Sequence, residues 1–306
     1  MAAGSAIGII GTGWVGASVA ISVLQSGTAR ELLLYDKREA VAEGEAMDLS
    51  HGSSFYPAAS VRSAPPEAMR SARAVVIAAG RGGGPQESRL DLLRDNAAIV
   101  RELARGFAGY EGIVVMVTNP VDVLTYVFQQ ASGLPAERVI GTGTMLDTAR
   151  LRQVLGRELD LDPRAVHAQV AGEHGDSEVV LWSSATLGGI RLRRWPGWDR
   201  AREAGVAQEV RRAAYEIIRR KGATNHAIGL VTATLLRWML RGERRILTVS
   251  RAQSGALGLH GVALSLPTVV GAGGASEVLE PELDGEERAG LERSAQVIRE
   301  AIASAS

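Results

Sequence analysis

The chain has 306 residues, 46% of them hydrophobic and 22% charged, which allows one large or two ordinary domains with buried cores. Lys plus Arg and Asp plus Glu balance at 34 each, so no overall field draws the protein to nucleic acid or to an anionic membrane, and neither is expected as a partner. Cysteine is absent, which excludes disulfides, Cys-ligated zinc and thiolate nucleophiles, and no metal site is expected. No basic leader precedes Ala6 and no run of about 18 apolar residues occurs, so the expectation is a cytoplasmic protein.

The first half alternates short aliphatic runs with helical patterns. Strands are predicted at 6–10, 31–35, 73–79 and 112–118, each apolar almost throughout, as for parallel strands buried on both faces. Helices are predicted at 15–26, 39–48, 91–108 and 121–131. Such alternation predicts an α/β fold, an N-terminal Rossmann-type doubly wound parallel sheet over residues 1–142. Residues 143–306 read as an α+β substrate domain. It would hold a helix at 145–158, strands at 166–171 and 178–182, and a long helix with Val206, Val210, Ala213, Ala214, Ile217 and Ile218 on one stripe. Further strands are predicted at 245–250 and 260–267. A last helix opens on Asp284 and Glu287, spaced as a capping box.

Residues 8–16, GIIGTGWVG, place Gly11, Gly13 and Gly16 between a strand and a helix. Gly11 permits a tight turn, Gly13 lets the backbone approach a pyrophosphate, and Gly16 allows close helix–strand packing. The helix N-terminus offers free N–H groups and partial positive charge to the phosphates. Asp36 follows the second strand, 20 residues past Gly16, where an acid accepts hydrogen bonds from ribose hydroxyls and repels a 2′-phosphate. NAD is therefore favoured over NADP, although Lys37 and Arg38 beside Asp36 soften the preference.

Three polar clusters interrupt apolar segments: Thr118-Asn119-Pro120, Asp147-Thr148-Ala149-Arg150 and Gly172-Glu173-His174-Gly175-Asp176-Ser177. A fourth segment, residues 81–89, is glycine-rich, reads as a mobile loop and ends in Arg89. Singly, each has a plain structural explanation as a turn, a loop or an ordinary histidine. Together, downstream of a dinucleotide fold, they supply what reduction of a 2-oxo acid needs: a proton donor near neutral pH, a cation for the carboxylate and a second cation to polarise the carbonyl.

With these motifs the sequence resembles the L-lactate/malate dehydrogenase family over essentially its whole length, on the lactate dehydrogenase-like branch. The resemblance implies that His174 is the general acid/base, that Asp147 orients it, and that Arg150 grips the substrate carboxylate in a bidentate pair. It implies that Arg89 polarises the carbonyl from a closing loop and that Asn119 hydrogen-bonds the substrate and the nicotinamide side. In the segment Lys221–Gly229 it implies that Thr224 lines the pocket and Ile228 packs on the nicotinamide. It further implies a homo-oligomer, dimer or tetramer. Arg152 and His167 match positions at which bacterial lactate dehydrogenases bind fructose 1,6-bisphosphate, and they are candidate effector residues.

The family distinguishes substrates by one loop residue six positions before the catalytic arginine, Gln in lactate enzymes and Arg in malate enzymes. Here that position is Gly83. Without a cation there, a second substrate carboxylate would enter a closing pocket unpaired, which is costly. The expectation is thus a lactate-type enzyme acting on pyruvate or a larger 2-oxo acid, with relaxed side-chain specificity. Two alternatives stay open at this point: a malate dehydrogenase with an atypical loop, in which Arg81 substitutes, and a non-catalytic NAD-binding protein.

Overall fold

The computed structural model describes residues 6–82 and 88–305. Its first half runs β1 (Ala6–Ile10), α1 (Trp14–Gln25), β2 (Glu31–Tyr35), α2 (Glu39–His51), β3 (Ser60–Ser63) and β4 (Ala74–Ile77). There follow α3 (Arg89–Gly106), β5 (Ile113–Met116), α4 (Val121–Ser132) and β6 (Val139–Gly141). The second half opens with α5 (Met145–Leu159) and the two-residue strands β7 (Val166–His167), β8 (Val170–Ala171), β9 (Val179–Val180), β10 (Thr186–Leu187) and β11 (Ile190–Arg191). It closes with α6 (Glu203–Lys221), α7 (His226–Leu240), β12 (Arg245–Ser254), β13 (His260–Gly271), β14 (Gly274–Val278) and α8 (Gly285–Ser304).

Strands β6-β5-β4-β1-β2-β3 lie side by side and pair in parallel, so the expected doubly wound sheet is present. Strands β1, β4 and β5 are buried along their whole length, which explains their unbroken aliphatic composition. Alternate side chains serve opposite faces. Ile7, Ile9, Leu32, Leu34, Val76 and Val115 pack with Val19 and Val23 of α1 and Leu236 and Met239 of α7. Ile10, Leu33, Val75, Ile77, Val114 and Met116 pack on the other face with Ala97 and Val100 of α3 and Leu124 and Phe128 of α4. The chain order reverses between β1 and β4, which leaves a crevice at their carboxyl ends.

The second half extends this sheet. Its hairpin β12–β13 and strand β14 join antiparallel through the Ser250–Gly141 pair of β12 and β6. A separate cluster of Leu151, Leu155, Trp182, Leu187, Leu192, Val206 and Val210 packs α5, α6 and the short strands together. The capping box at α8 forms as expected: Asp284 accepts from the Glu287 N–H while Glu287 accepts from the Asp284 N–H.

The structure departs from the expected elements in several places. The strand predicted at 166–171 is two strands on different partners, β7 on β10 and β8 on β9. The break falls where the Ala168 carbonyl accepts from Arg152 and the Gln169 carbonyl from Leu181, so those residues spend their hydrogen bonds outside one ladder. The strand predicted at 178–182 is reduced to Val179–Val180. The stripe of α6 is buried at Val206 and Val210, but Ile217 and Ile218 near its end are exposed, because that end leaves the cluster. Edge strand β3, with the polar sequence SVRS, carries no apolar run to announce it.

Candidate active site

The glycine turn is held by close packing. Gly11 has φ +94, and a Cβ there would lie 2.4 Å from the Ala79 nitrogen just past β4. A Cβ on Gly16 would lie 1.9 Å from the Gly11 carbonyl oxygen, so α1 can start against the turn only with glycine there. A Cβ on Gly13 would meet nothing within 4 Å, which leaves that peptide open for an approaching group. Asp36 lies just past β2, with Oδ2 accepting the Thr12 N–H at 3.1 Å and Oδ1 accepting the Arg38 N–H at 3.1 Å. Its carboxylate is thereby fixed beside the glycine turn, and the donor set fits a dinucleotide: open backbone at the helix N-terminus and an acid for ribose hydroxyls.

Asn119 is exposed at the carboxyl end of β5, joined to Pro120 by a cis peptide bond. Thr118 anchors the segment by donating to the Ala79 carbonyl at 2.7 Å. Thr224 and Ile228 are half-buried just before and within the first turn of α7, with Ile228 against the cluster that also holds Val15 of α1. The segment that opens α7 therefore meets α1, the helix that follows the glycine turn. Neighbouring Asn225 ties them together, donating to the Ser18 hydroxyl at 2.8 Å.

His174, Asp147 and Arg150, which the resemblance implies act together, lie in contact. Asp147 and Arg150 sit one turn apart on α5, and Arg150 Nη1 donates to Asp147 Oδ1 at 2.7 Å. The other carboxylate oxygen, Oδ2, lies 2.5 Å from His174 Nδ1. The Asp147 side chain is 3% exposed and that of His174 24%, so part of the His174 side chain remains accessible. Burial works against the His174 imidazolium, but the charge and hydrogen bond of Asp147, helped by Asp122, carry its pKa up to about 9. Burial also opposes the Asp147 carboxylate, yet His174 and Arg150 hold it below the usual range. No other side-chain hydrogen bond among the described residues engages Arg150, and its remaining guanidinium N–H donors stay available for a carboxylate.

The loop carrying His174 is fastened from several elements. Gly172 exchanges backbone hydrogen bonds with Ser265 of β13, at 2.8 and 2.9 Å. The Glu173 N–H donates to Ser294 of α8 at 2.6 Å, and the His174 N–H to Asp122 of α4 at 2.7 Å. Glu178, 5% exposed, returns beside the cluster through a Glu178 N–H to Gly175 carbonyl bond. Burial and then the Asp147 charge push its carboxyl up to about 8, against Arg211, His174 and Arg150. Its Oε1 and the nearby Arg211 Nε are both buried without a hydrogen-bond partner.

Sequence reasoning missed Asp122, Glu178, Arg211, Ser265 and Ser294. Asp122 carried only the weak signal of an acid in the first turn of a helix, which is ordinary dipole complementation. Two predicted positions cannot be placed in the cluster: Gly83 lies outside the described residues, and of Arg89 only the backbone, at the start of α3, is described. Arg81 forms an ion pair with Asp95 of α3. Arg152 donates from Nε to the Ala168 carbonyl at 3.1 Å, which sets it beside the strand of exposed His167. Among the described residues no group of three or more His, Asp or Glu side chains is placed to hold a metal ion, and no helix is long and apolar enough to cross a membrane.

Comparison with known proteins bears on the fold and the family. Residues 5–141 match the family model of the lactate/malate dehydrogenase NAD binding domain, and residues 144–306 that of the lactate/malate dehydrogenase alpha/beta C-terminal domain. The L-lactate dehydrogenase of Salinibacter ruber is 44% identical over 304 residues, covering 97% of this chain and 96% of its own. That of Moorella thermoacetica is 43% identical over 305 residues, with the same coverage. The crystal structure of a minor L-lactate dehydrogenase from Enterococcus mundtii superposes with a TM-score of 0.96 at 37% identity over 99% of both chains. By fold, by both family models and by identity along nearly its whole length, the chain belongs to the lactate/malate dehydrogenase family.

Proposed function

We propose that the protein is an NAD-dependent L-2-hydroxy acid dehydrogenase of the L-lactate type, acting on pyruvate or a larger 2-oxo acid. The observation that carries this reading is the His174–Asp147–Arg150 cluster, in which one buried carboxylate pairs with both a protonatable imidazole and a guanidinium. Gly11, Gly13 and Gly16 would hold the pyrophosphate of NAD and Asp36 its adenosine ribose, with Asn119 and Ile228 toward the nicotinamide. When bound, NAD supplies or accepts the hydride.

The chain's own residues do the rest. Arg150 orients the substrate by its carboxylate, and Arg89 polarises the carbonyl. His174, kept protonated at neutral pH by Asp147, donates a proton to the carbonyl oxygen during reduction and takes it back during oxidation. Thr224 closes the side of the pocket.

Gly83 stands where a malate-type enzyme needs a cation, and Arg81, the nearest alternative, is engaged with Asp95. Small side chains at that position leave room for larger apolar substituents, each buried CH₂ contributing about 0.8 kcal/mol. A panel of pyruvate, 2-oxobutyrate, longer and aromatic 2-oxo acids and oxaloacetate tests the assignment. The expected ranking places the monocarboxylates above oxaloacetate, and a clear preference for oxaloacetate would overturn it.

The same reading includes a homo-oligomer, dimer or tetramer, that would cover the exposed apolar side chains of Trp14, Met47 and Leu230. Sedimentation as a monomer at assay concentrations would remove that part. Arg152 and His167 are proposed as an effector site for fructose 1,6-bisphosphate, tested by calorimetry with the sugar bisphosphate. A cytoplasmic location follows, since free NADH is an intracellular reagent.

A further inference from the structure

Asp122 is 2% exposed, in the first turn of α4, and its side chain is not spent on capping that helix. Its Oδ2 instead accepts the main-chain N–H of His174 at 2.7 Å, across 52 positions of sequence. Its Oδ1 is buried and faces the Ser250 hydroxyl of β12, which favours the carboxylate without meeting ideal hydrogen-bond geometry. A carboxylate held out of water is expensive to keep for stability alone, even with a main-chain N–H and a nearby hydroxyl to offset its burial. What it touches is the backbone of the residue whose ring sits on Asp147.

We propose that Asp122 is a positioning residue for His174: its carboxylate fixes the histidine main chain from α4 while Asp147 fixes the ring from α5. The proposal rests on reading His174 as the proton carrier. It also joins the two halves of the reaction, because α4 begins directly after Asn119 and Pro120. A shift of the His174 main chain would move the imidazole relative to Asn119 and Arg150, and misplacements near 1 Å cost about 100-fold in turnover.

The ionisable groups bearing on His174 are Asp147 and Arg150 on α5 and Asp122 on α4. Glu173 and His174 bear on Asp122. Glu178, flanked by Arg211 of α6, feels His174 in turn. Elements β13 and α8 meet the loop through the uncharged Ser265 and Ser294. Burial raises the Asp122 pKa to about 6, so the carboxylate is ionised across the range in which His174 loses its proton. Removing its charge therefore lowers the His174 pKa.

The test uses Asp122→Ala and Asp122→Asn in the full-length enzyme, with His174→Ala as control. Asp122→Ala is expected to lower kcat for pyruvate about 10- to 100-fold, with NADH affinity retained by fluorescence titration. Asp122→Asn keeps an oxygen acceptor of the same size and is expected to recover most of that loss. NMR of histidine-labelled enzyme, with the His174 signal identified by its disappearance in His174→Ala, should show its midpoint lowered by about half a unit or more in both variants.

Turnover of Asp122→Ala within about twofold of wild type overturns the proposal, as does an Asn variant no better than Ala. If Asp122→Ala does not fold, Asp122→Asn decides: an unmoved His174 midpoint overturns the proposal. Full turnover in His174→Ala would instead sink the functional reading, whatever the Asp122 variants do.

Discussion

The glycine turn after β1 and the histidine loop after β8 serve one proposed reaction but are built in opposite ways. In the turn, the obstacle to a Cβ at Gly16 is the carbonyl of Gly11, five positions away, and only at Gly11 does a distant segment, the Ala79 backbone, take that part. In the loop, the partners lie 27 positions away at Asp147, 52 at Asp122 and 121 at Ser294. A local device can be judged from a few residues. The loop is a junction whose geometry belongs to α4, α5, α8 and β13 together. Substitutions in the turn should therefore act on cofactor binding and local packing, whereas those around the loop should act on proton transfer and its pH dependence.

The largest expected effect is at the junction. His174→Ala should lower turnover with pyruvate by about 10²- to 10⁴-fold, while fluorescence titration returns an NADH affinity close to wild type. A matching loss of NADH binding would mean that turn and loop are not separable. The turn is probed by a contrasting pair. Gly16→Ala forces a methyl to 1.9 Å from the Gly11 oxygen and should cost about 1–3 kcal/mol in urea unfolding together with NADH affinity. Gly13→Ala meets no protein atom within 4 Å and should weaken NADH binding without lowering Tm. Equal destabilisation in both variants would show that the turn is constrained by packing alone.

The next expected effect is on pH. With His174 at about 9, kcat/KM for pyruvate should be level at neutral pH and fall about tenfold per unit above that value, oxidation of the hydroxy acid showing the opposite trend. The sign for stability follows from linkage. Both folded-state values are raised, His174 from 6.5 to about 9 and Glu178 from 4.5 to about 8. Each contribution is full below the unfolded value and is lost as pH rises through the folded one. Glu178→Gln, neutral at every pH, should therefore raise Tm relative to wild type at pH values near 9 and change it little near 5. Thermal melts showing the same difference at both ends would rule out a buried, titrating Glu178.

The smallest effect is expected at a third, purely local device. Asp284→Ala removes the capping box of α8 and a contact with Arg193, and urea unfolding should register a loss of about 1 kcal/mol. Catalytic constants should stay as they are unless α8, which holds the loop through Ser294, moves with its cap.

The parts of the fold readable from sequence are those where one kind of burial acts along a whole segment. Strands β1, β2, β4 and β5 are nearly uniform in composition because both faces are covered. Strand β3 was not readable because it lies at the sheet edge with the exposure pattern of a loop. Helix α7 was overlooked because its apolar residues run almost all the way round, burying one side on α1 and leaving Leu230 exposed. In the site, His174 and Arg150 were readable because few residue types can carry a proton or grip a carboxylate near neutral pH, whereas Asp147 followed from the family resemblance. Asp122, Ser265 and Ser294 were not, because serine and aspartate are common and only the partner distinguishes one that anchors a loop.

By itself the sequence determined the local devices: the glycine turn, the Asp36 position, the α8 cap and the alternation that makes a doubly wound sheet. Each depends on backbone conformations and burial periodicities set within a few residues. Tertiary structure alone decided that Asp147 would meet both His174 and Arg150 and that Asp122 would hold the His174 main chain. It also brought Glu178 into the same buried cluster. Those are couplings between charges on separate elements. Their strength depends on distance and desolvation, and neither quantity exists until the helices and the loop are packed against one another.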